Sequence, residues 1–182
     1  AIFVVNKLSQ GVLLLLRIDP DKKESLITEH ELRTIVNVSH EEGVIESEER
    51  QMINNVFDFG DSQAREIMVP RIDVAFADVK STYEDLICLF REEKHTRFPV
   101  YEDTTDNIIG IVNVKDLLLL EDKTQFDLRQ MMRDPYFTFE YKKISELLVE
   151  MKEESVSFAV VLDEYGATAG IITLENLLEE IV

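Results

Sequence analysis

One pattern is written twice in this chain, and it restricts the fold more than anything else. Residues 98–118, FPVYEDTTDNIIGIVNVKDLL, and residues 158–178, FAVVLDEYGATAGIITLENLL, align without a gap at an offset of 60. Seven of the 21 positions are identical: Phe98/Phe158, Val100/Val160, Asp103/Asp163, Gly110/Gly170, Ile111/Ile171, Leu117/Leu177 and Leu118/Leu178. Self-similarity at a fixed period marks one supersecondary unit used twice. Two like units tend to pack about a pseudo-two-fold axis and leave a cleft between them. Function is expected in that cleft.

At 182 residues the chain can bury a real core, as one domain or two small ones. Its charge is less ordinary, with 37 acids against 19 bases for a formal balance of -18. Such a surface argues against nucleic acid, whose phosphates need a basic face. It suits attraction of cations, or solubility alone. The single cysteine, Cys88, rules out a disulfide framework and fits a reducing compartment. It lies within Leu86-Ile87-Cys88-Leu89-Phe90 and is expected as a small core residue.

The first 18 residues, AIFVVNKLSQGVLLLLRI, are mostly apolar and carry no acid. Asn6, Lys7, Ser9, Gln10 and Gly11 interrupt the run. It is too short and too polar for a confident spanning helix, which needs about 20 apolar residues. No small-residue cleavage site follows, so a signal peptide fits poorly. An interfacial helix, the tail of a membrane domain, or a helix docked on a partner all remain open. Residues 1–25 therefore form a hydrophobic N-terminal arm, and residues 26–64 a helical linker. Within the linker, Thr28-x-x-Glu31 is a capping box opening a helix through Leu32, Ile35 and Val36, which Gly43 ends. Ser47, followed by Glu48 and Glu49, opens a second helix with Met52, Ile53, Val56 and Phe57 on one face. The acids Glu41, Glu42, Glu46, Glu48 and Glu49 read as a solvated face in preference to a divalent-ion site, and no metal site is expected.

From Arg65 the repeat begins. Each unit opens with a Met-containing segment ending at proline, Glu66–Pro70 and Gln130–Pro135. A brief strand is expected at 74–77 and at 137–139. Amphipathic helices follow at 82–93, with Leu86, Ile87, Leu89 and Phe90 inward, and at 143–153, with Ile144, Leu147, Leu148 and Met151 inward. Hairpins pair 98–101 with 108–113 and 158–162 with 168–173, across a polar turn at Asp103–Asn107 and a Gly-bearing one at Asp163–Gly166. Closing helices are expected at 114–120 and 174–181, with a linker near 121–127. The order is β-α-β-β-α twice, over residues 65–121 and 127–182. The class is α+β: two such units in a pseudo-symmetric pair, preceded by a helical arm.

Two stretches could carry chemistry. At Gly170–Asn176 a strand runs into a helix with Thr173 at the N-cap and Asn176 at N3. Capping alone explains that spacing. The same geometry also presents backbone donors to phosphate and a side chain to ribose. The first copy offers Asn113 and Asp116 there, and a carboxylate can accept from both vicinal hydroxyls. The second stretch is His95-Thr96-Arg97-Phe98-Pro99-Val100. Arg97 either pairs with one of the many acids or meets a polyphosphate, where a planar guanidinium binds bidentately. The second copy has no arginine there, so the two copies should not bind a charged ligand equally. His30 and His40 lie in polar helical context and read as surface residues. No nucleophile–base pair, zinc spacing or phosphate loop can be assembled, so no enzyme is expected.

The doubled unit resembles a tandem pair of CBS domains, or Bateman module. More narrowly it is similar to the CBS pair of the CorC/HlyC (hemolysin-like) and CNNM family of magnesium and cobalt transporters. The resemblance is carried by Arg65–Arg71, Thr96–Tyr101, Val114–Leu117, and Leu162–Gly166 through Gly170–Asn176. The helix around Leu32-Arg33 and the segment Ile45-Glu46 resemble the family's linker to its membrane domain, and the match covers about residues 26–182. The resemblance implies a regulatory adenosine-nucleotide site, for ATP or AMP with Mg2+ alongside, formed by Val69, His95, Thr96, Arg97, Phe98, Pro99, Thr173 and Asn176. It implies a second site at Asn113 and Asp116, a homodimer through the CBS helices, an attached membrane-spanning transporter domain, and a place on the cytoplasmic face of the cell membrane. Asn176 in place of Asp, Val69 in place of Thr, and Asn113 in place of Ser or Thr depart from the family pattern and imply weaker binding. The family's C-terminal domain is not in this sequence, so the chain is expected to be a piece of a longer one. A structural dimerisation module with no ligand is the alternative expectation.

Overall fold

Capping chemistry sets the first described helix, α1 (Glu29–Glu41). Thr28 Oγ1 accepts from the Glu31 amide at 3.3 Å, and the Thr28 amide donates to Glu31 Oε2 at 2.9 Å. Gly43, at φ +74, takes the left-handed conformation that stops the helix. Both boundaries agree with the sequence reading. His30 is exposed and His40 half-buried. The computed structural model describes residues 27–120, 123 and 126–182. The hydrophobic arm at 1–25 lies outside the described residues, as does most of the linker near 121–127. The chain divides into two compact units, Ala1–Glu46, which contains α1, and Ser47–Val182, which contains everything below.

In the second unit, α2 (Ser47–Asp61) carries Glu48 and Glu49 in its first turn. Its apolar stripe was expected to bury Met52, Ile53, Val56 and Phe57. Met52 and Val56 are instead exposed, and the buried residue is Phe59. Phe59 continues the same helical stripe one turn on, and only that C-terminal end reaches the core built on Ile144, Leu147 and Met151. A short helix, α3 (Ala64–Ile67), follows. The Ala64 and Arg65 amides donate to the carbonyls of Lys142 and Glu140, fastening this corner to the second half of the repeat.

The first half contains β1 (Val69–Pro70), a 3-10 turn (Arg71–Asp73), β2 (Ala77–Asp78), α4 (Tyr83–Glu93), β3 (Arg97–Glu102), β4 (Thr104–Asn113) and α5 (Val114–Leu117). The second contains α6 (Leu128–Met131), β5 (Tyr136–Phe139), α7 (Ile144–Glu153), β6 (Phe158–Leu162), β7 (Thr168–Thr173) and α8 (Leu174–Glu179). In each, a parallel pair (β2/β3, β5/β6) joins an antiparallel hairpin (β3/β4, β6/β7). β1, though from the first half, pairs antiparallel with β7 and completes the second half's sheet in the order β1-β7-β6-β5. The two sheets meet through Ile108, Ile111, Phe158 and Val160. Separate cores lie beneath the helices, around Phe98, Val100 and Leu86 in one half and Ala159, Val161 and Leu147 in the other.

Several boundaries differ from expectation. β2 starts at Ala77 instead of Val74, because Arg71–Asp73 is a turn pinned by Arg71, whose Nη2 donates to Thr105 Oγ1 at 2.6 Å and whose Nη1 pairs with Asp106. The expected polar turn at 103–107 is mostly strand. Asp103 alone, at φ +66, reverses the chain, and β4 runs from Thr104. The closing helices end at Leu117 and Glu179, earlier than expected. Cys88 is exposed, not core. It sits two residues from buried Leu86, about 200° around the helix, on the opposite face.

The gapless offset of 60 is also corrected. Val100 pairs with Gly110, whereas Val161, not Val160, pairs with Gly170. Lys94 and Ser155, the left-handed residues that end α4 and follow α7, stand 61 apart. The structural offset is therefore 61 up to β6 and returns to 60 in the hairpin loop. Side chains alternate along a strand, so a slip of one residue exchanges faces. Phe98 lies in its own half's core, but Phe158 lies at the seam between sheets.

Candidate functional site

The crossing of β1 onto β7 brings three separate pieces of chain around one cleft. β1 supplies Val69, and the segment after it supplies Asp73, Val74 and Ala75. The approach to β3 supplies His95 through Pro99. The β7–α8 junction supplies Ile171, Thr173, Glu175 and Asn176, with Phe158 from the seam. The cleft holds about 280 Å³ and is half open to solvent. All eight residues expected for the main site border it. Phe98 contributes least, because its ring is buried in the first half's own core.

At the β7–α8 junction Thr173 and Asn176 form a reciprocal cap. Asn176 N donates to Thr173 Oγ1 at 3.2 Å, and Thr173 N donates to Asn176 Oδ1 at 2.9 Å. The Thr173 hydroxyl also lies 2.8 Å from Asn176 Oδ1. A backbone N–H can face only the amide oxygen, which fixes the orientation of Asn176. Its oxygen is thus committed to the cap, and its Nδ2 donors remain for a ligand. An acceptor role for Asn176, natural for a carboxylate at this position, is closed here.

Arg97, the first residue of β3, is half-buried and pairs through its backbone with Asn113. Among the described residues it makes no ion pair. That is unusual on a chain with 37 acids. A cleft guanidinium that makes no ion pair of its own is disposed toward an anion from outside. The same cleft is lined by the apolar residues Val69, Val74, Ala75, Phe158 and Ile171. A cation, hydroxyl and amide donors and apolar side chains lining one cleft suit a partly apolar molecule bearing phosphate. Asp73 and Glu175 at the same cleft set a negative counterweight.

Asp73, Val74, Ala75, Phe158, Ile171 and Glu175 were missed in the sequence. Val74 and Ala75 were read as part of a strand with Asp73 just before it, and Phe158 was equated with Phe98 across the slipped register. The alternation of Phe158, Val160 and Leu162 against Ala159 and Val161 was the signal that marks a second buried face.

A smaller cleft of about 130 Å³ lies at the pseudo-symmetric position, bordered by Asn113 but not Asp116. Asp116 accepts from Arg133 Nη2 at 3.1 Å. Arg133 bridges Ile111 as Val69 pairs with Ile171, so an arginine stands in this cleft where the main one has a valine. No helix among the described residues is long and apolar enough to cross a membrane, and no group of three or more His, Cys, Asp or Glu among them is arranged to hold a metal ion.

The CBS domain family model matches residues 64–122 and 126–182. Among curated proteins the chain is similar to UPF0053 protein YugS of Bacillus subtilis, 39% identical over 158 residues, covering 86% of this chain and 37% of that protein. It is also similar to Hemolysin C of Brachyspira hyodysenteriae, 38% identical over 134 residues, covering 74% and 50%. The chain thus spans half or less of the length of these relatives. Among solved structures it resembles the CBS domain of the bacterial CNNM/CorC family Mg2+ transporter, at 38% identity and TM-score 0.81, covering 86% of this chain and 97% of that one. A CBS domain of that family in complex with ATP matches at 38% identity and TM-score 0.70, covering 73% and 96%. A CBS-domain pair with bound AMP from Klebsiella pneumoniae matches at 28% identity and TM-score 0.58, covering 65% and 97%.

Proposed function

The chain belongs to the CBS-domain family, as a tandem pair of the CorC/HlyC type, and on that premise we propose that it senses an adenosine nucleotide for an attached divalent-cation transporter. The observation that carries this reading is the meeting of Arg97, which makes no ion pair among the described residues, with Thr173, Asn176 and apolar side chains in one cleft. The adenine lies against the apolar side chains, the ribose meets the Asn176 donors, and phosphate meets Arg97 and Thr96. ATP and AMP, bound in the related structures, are the candidates. Mg2+ accompanies the phosphates and offsets Asp73 and Glu175.

The module binds and does not catalyse; phosphate release from ATP would contradict it. Two copies associate through their CBS helices on the cytoplasmic face of the membrane. Nucleotide biases the transporter only by its difference in affinity for two shapes of that dimer. Calorimetry tests the site. Arg97→Ala and Thr173→Ile are each expected to weaken ATP or AMP by about tenfold, the scale of one charge-assisted or capping interaction. Saturating nucleotide, at about a hundred times its Kd, should stabilise the wild type by roughly 2.7 kcal/mol. Unchanged affinity in both variants refutes the site, and no stabilisation by any adenine nucleotide leaves a dimerisation module with no ligand.

A further inference from the structure

Arg97 and Phe158 border both the main cleft and its pseudo-symmetric counterpart, so the two clefts adjoin. The counterpart is the smaller, about 130 Å³ against 280 Å³. Sites for drug-sized molecules start near roughly 300 Å³, so the smaller cleft does not suit a second nucleoside. Its lining mixes apolar Ile111, Val156 and Phe158 with Asn113, Ser157 and Arg133 beside Arg97, and carries one acid, Asp134. Arg133 spends one donor on Asp116 and is 73% exposed. A guanidinium has five N–H donors, so most of its fork is uncommitted.

We propose that the two clefts together hold one adenosine polyphosphate. The nucleoside and first phosphate occupy the main cleft, as in the reading above, on which this inference rests. The terminal phosphates pass Arg97 and end at Arg133. A planar fork on a mobile stem closes on a terminal phosphate bidentately. Asp134 opposes that tail, so Mg2+ on the phosphates strengthens it. Arg133 then sets specificity: it distinguishes triphosphate from monophosphate. In the main cleft the equivalent residue is Val69, which has no charge to offer.

AMP, ADP and ATP titrated calorimetrically into wild type and Arg133→Ala, with and without Mg2+, decide the matter. Expected are one ATP per chain, tighter binding of ATP than of AMP, and a loss of about tenfold in ATP affinity in Arg133→Ala with AMP held within about twofold. Arg133 is mostly exposed, so the variant should keep the wild-type melting temperature. Two nucleotides per chain, or an unaltered ATP-to-AMP ratio in the variant, overturn the inference and leave the main site standing. Absence of any adenine-nucleotide binding to the wild type overturns both.

Discussion

A methyl group placed on Gly170 would sit 2.3 Å from the carbonyl oxygen of Val69. That atom is backbone, and it belongs to the strand that crosses from the first half to line the cleft. At Gly110, the repeat partner, the same methyl meets Met132 Sδ at 2.5 Å, Cγ at 2.7 Å and Cβ at 2.9 Å, a side chain whose outer atoms can rotate away where backbone cannot. Both glycines therefore mark a close approach, but with different neighbours. Gly170→Ala is expected to cost about 2–3 kcal/mol in urea unfolding and to weaken nucleotide binding by moving Val69. Gly110→Ala should cost about 1 kcal/mol and leave binding in the main cleft intact. Equal losses in both would show that the contact with Val69 is not what requires glycine. The identity of the pair was plain in the sequence. What it served was not, because the contact joins residues a hundred positions apart and nothing local encodes it.

Elements were legible wherever a local rule fixed them. Thr28 and Thr173 cap helices with a reciprocal partner at N3, and α7 buries Ile144, Leu147 and Met151 at helical spacing. The rest failed where tertiary contacts decide. Met52 and Val56 fit the same stripe as Phe59, and only Phe59, at its far end, joins the buried core. The one-residue slip between the halves escaped because Phe98 and Phe158 share a name while facing different cores. Equally hidden was the join of β5 to α7. Hydrogen bonds from Lys142 Nζ and from Tyr136 Oη, the latter at 2.9 Å, hold the Glu150 carboxyl below its ordinary 4.5. Burial, with the bond to Glu150, pushes Tyr136 up to about 12. Glu150 therefore adds stability in full above pH 4.5, lost as pH falls through its lowered value. Tyr136 adds stability below its ordinary 10.0, lost as pH rises toward about 12. The acid effect is modest, since Glu150 is 38% exposed and solvent screens it. Glu150→Gln should unfold at lower urea than wild type at pH 7, with the gap narrowing as pH falls below 4.5. A gap of constant size across that range would rule out ionisation as its source.

For the whole molecule, the repeat that forms the cleft also shapes the outer surface. Leu118, just past the end of α5, and its repeat equivalent Leu178, on α8, are 74% and 52% exposed, and Leu119 beside the first is 79% exposed. A pseudo-two-fold unit that leaves the same leucine bare twice presents a surface able to match its own copy, as an isologous two-fold interface requires. Each chain also carries a formal charge of -18, and like charges oppose that pairing. Screening relieves the repulsion over a Debye length of about 10 Å at 0.1 M salt, whereas leucine contacts are not weakened by it. Sedimentation should therefore show a dimer that tightens as salt rises, the reverse of an interface held by ion pairs. Leu118→Glu with Leu178→Glu should give a monomer that still binds ATP, because neither leucine borders the main cleft. A dimer that survives the double variant would move the interface elsewhere, and one that weakens with salt would assign its strength to charge. If the monomer binds ATP as tightly as the dimer does, the nucleotide has no preference between assembly states, and any signal to the membrane must arise within one chain.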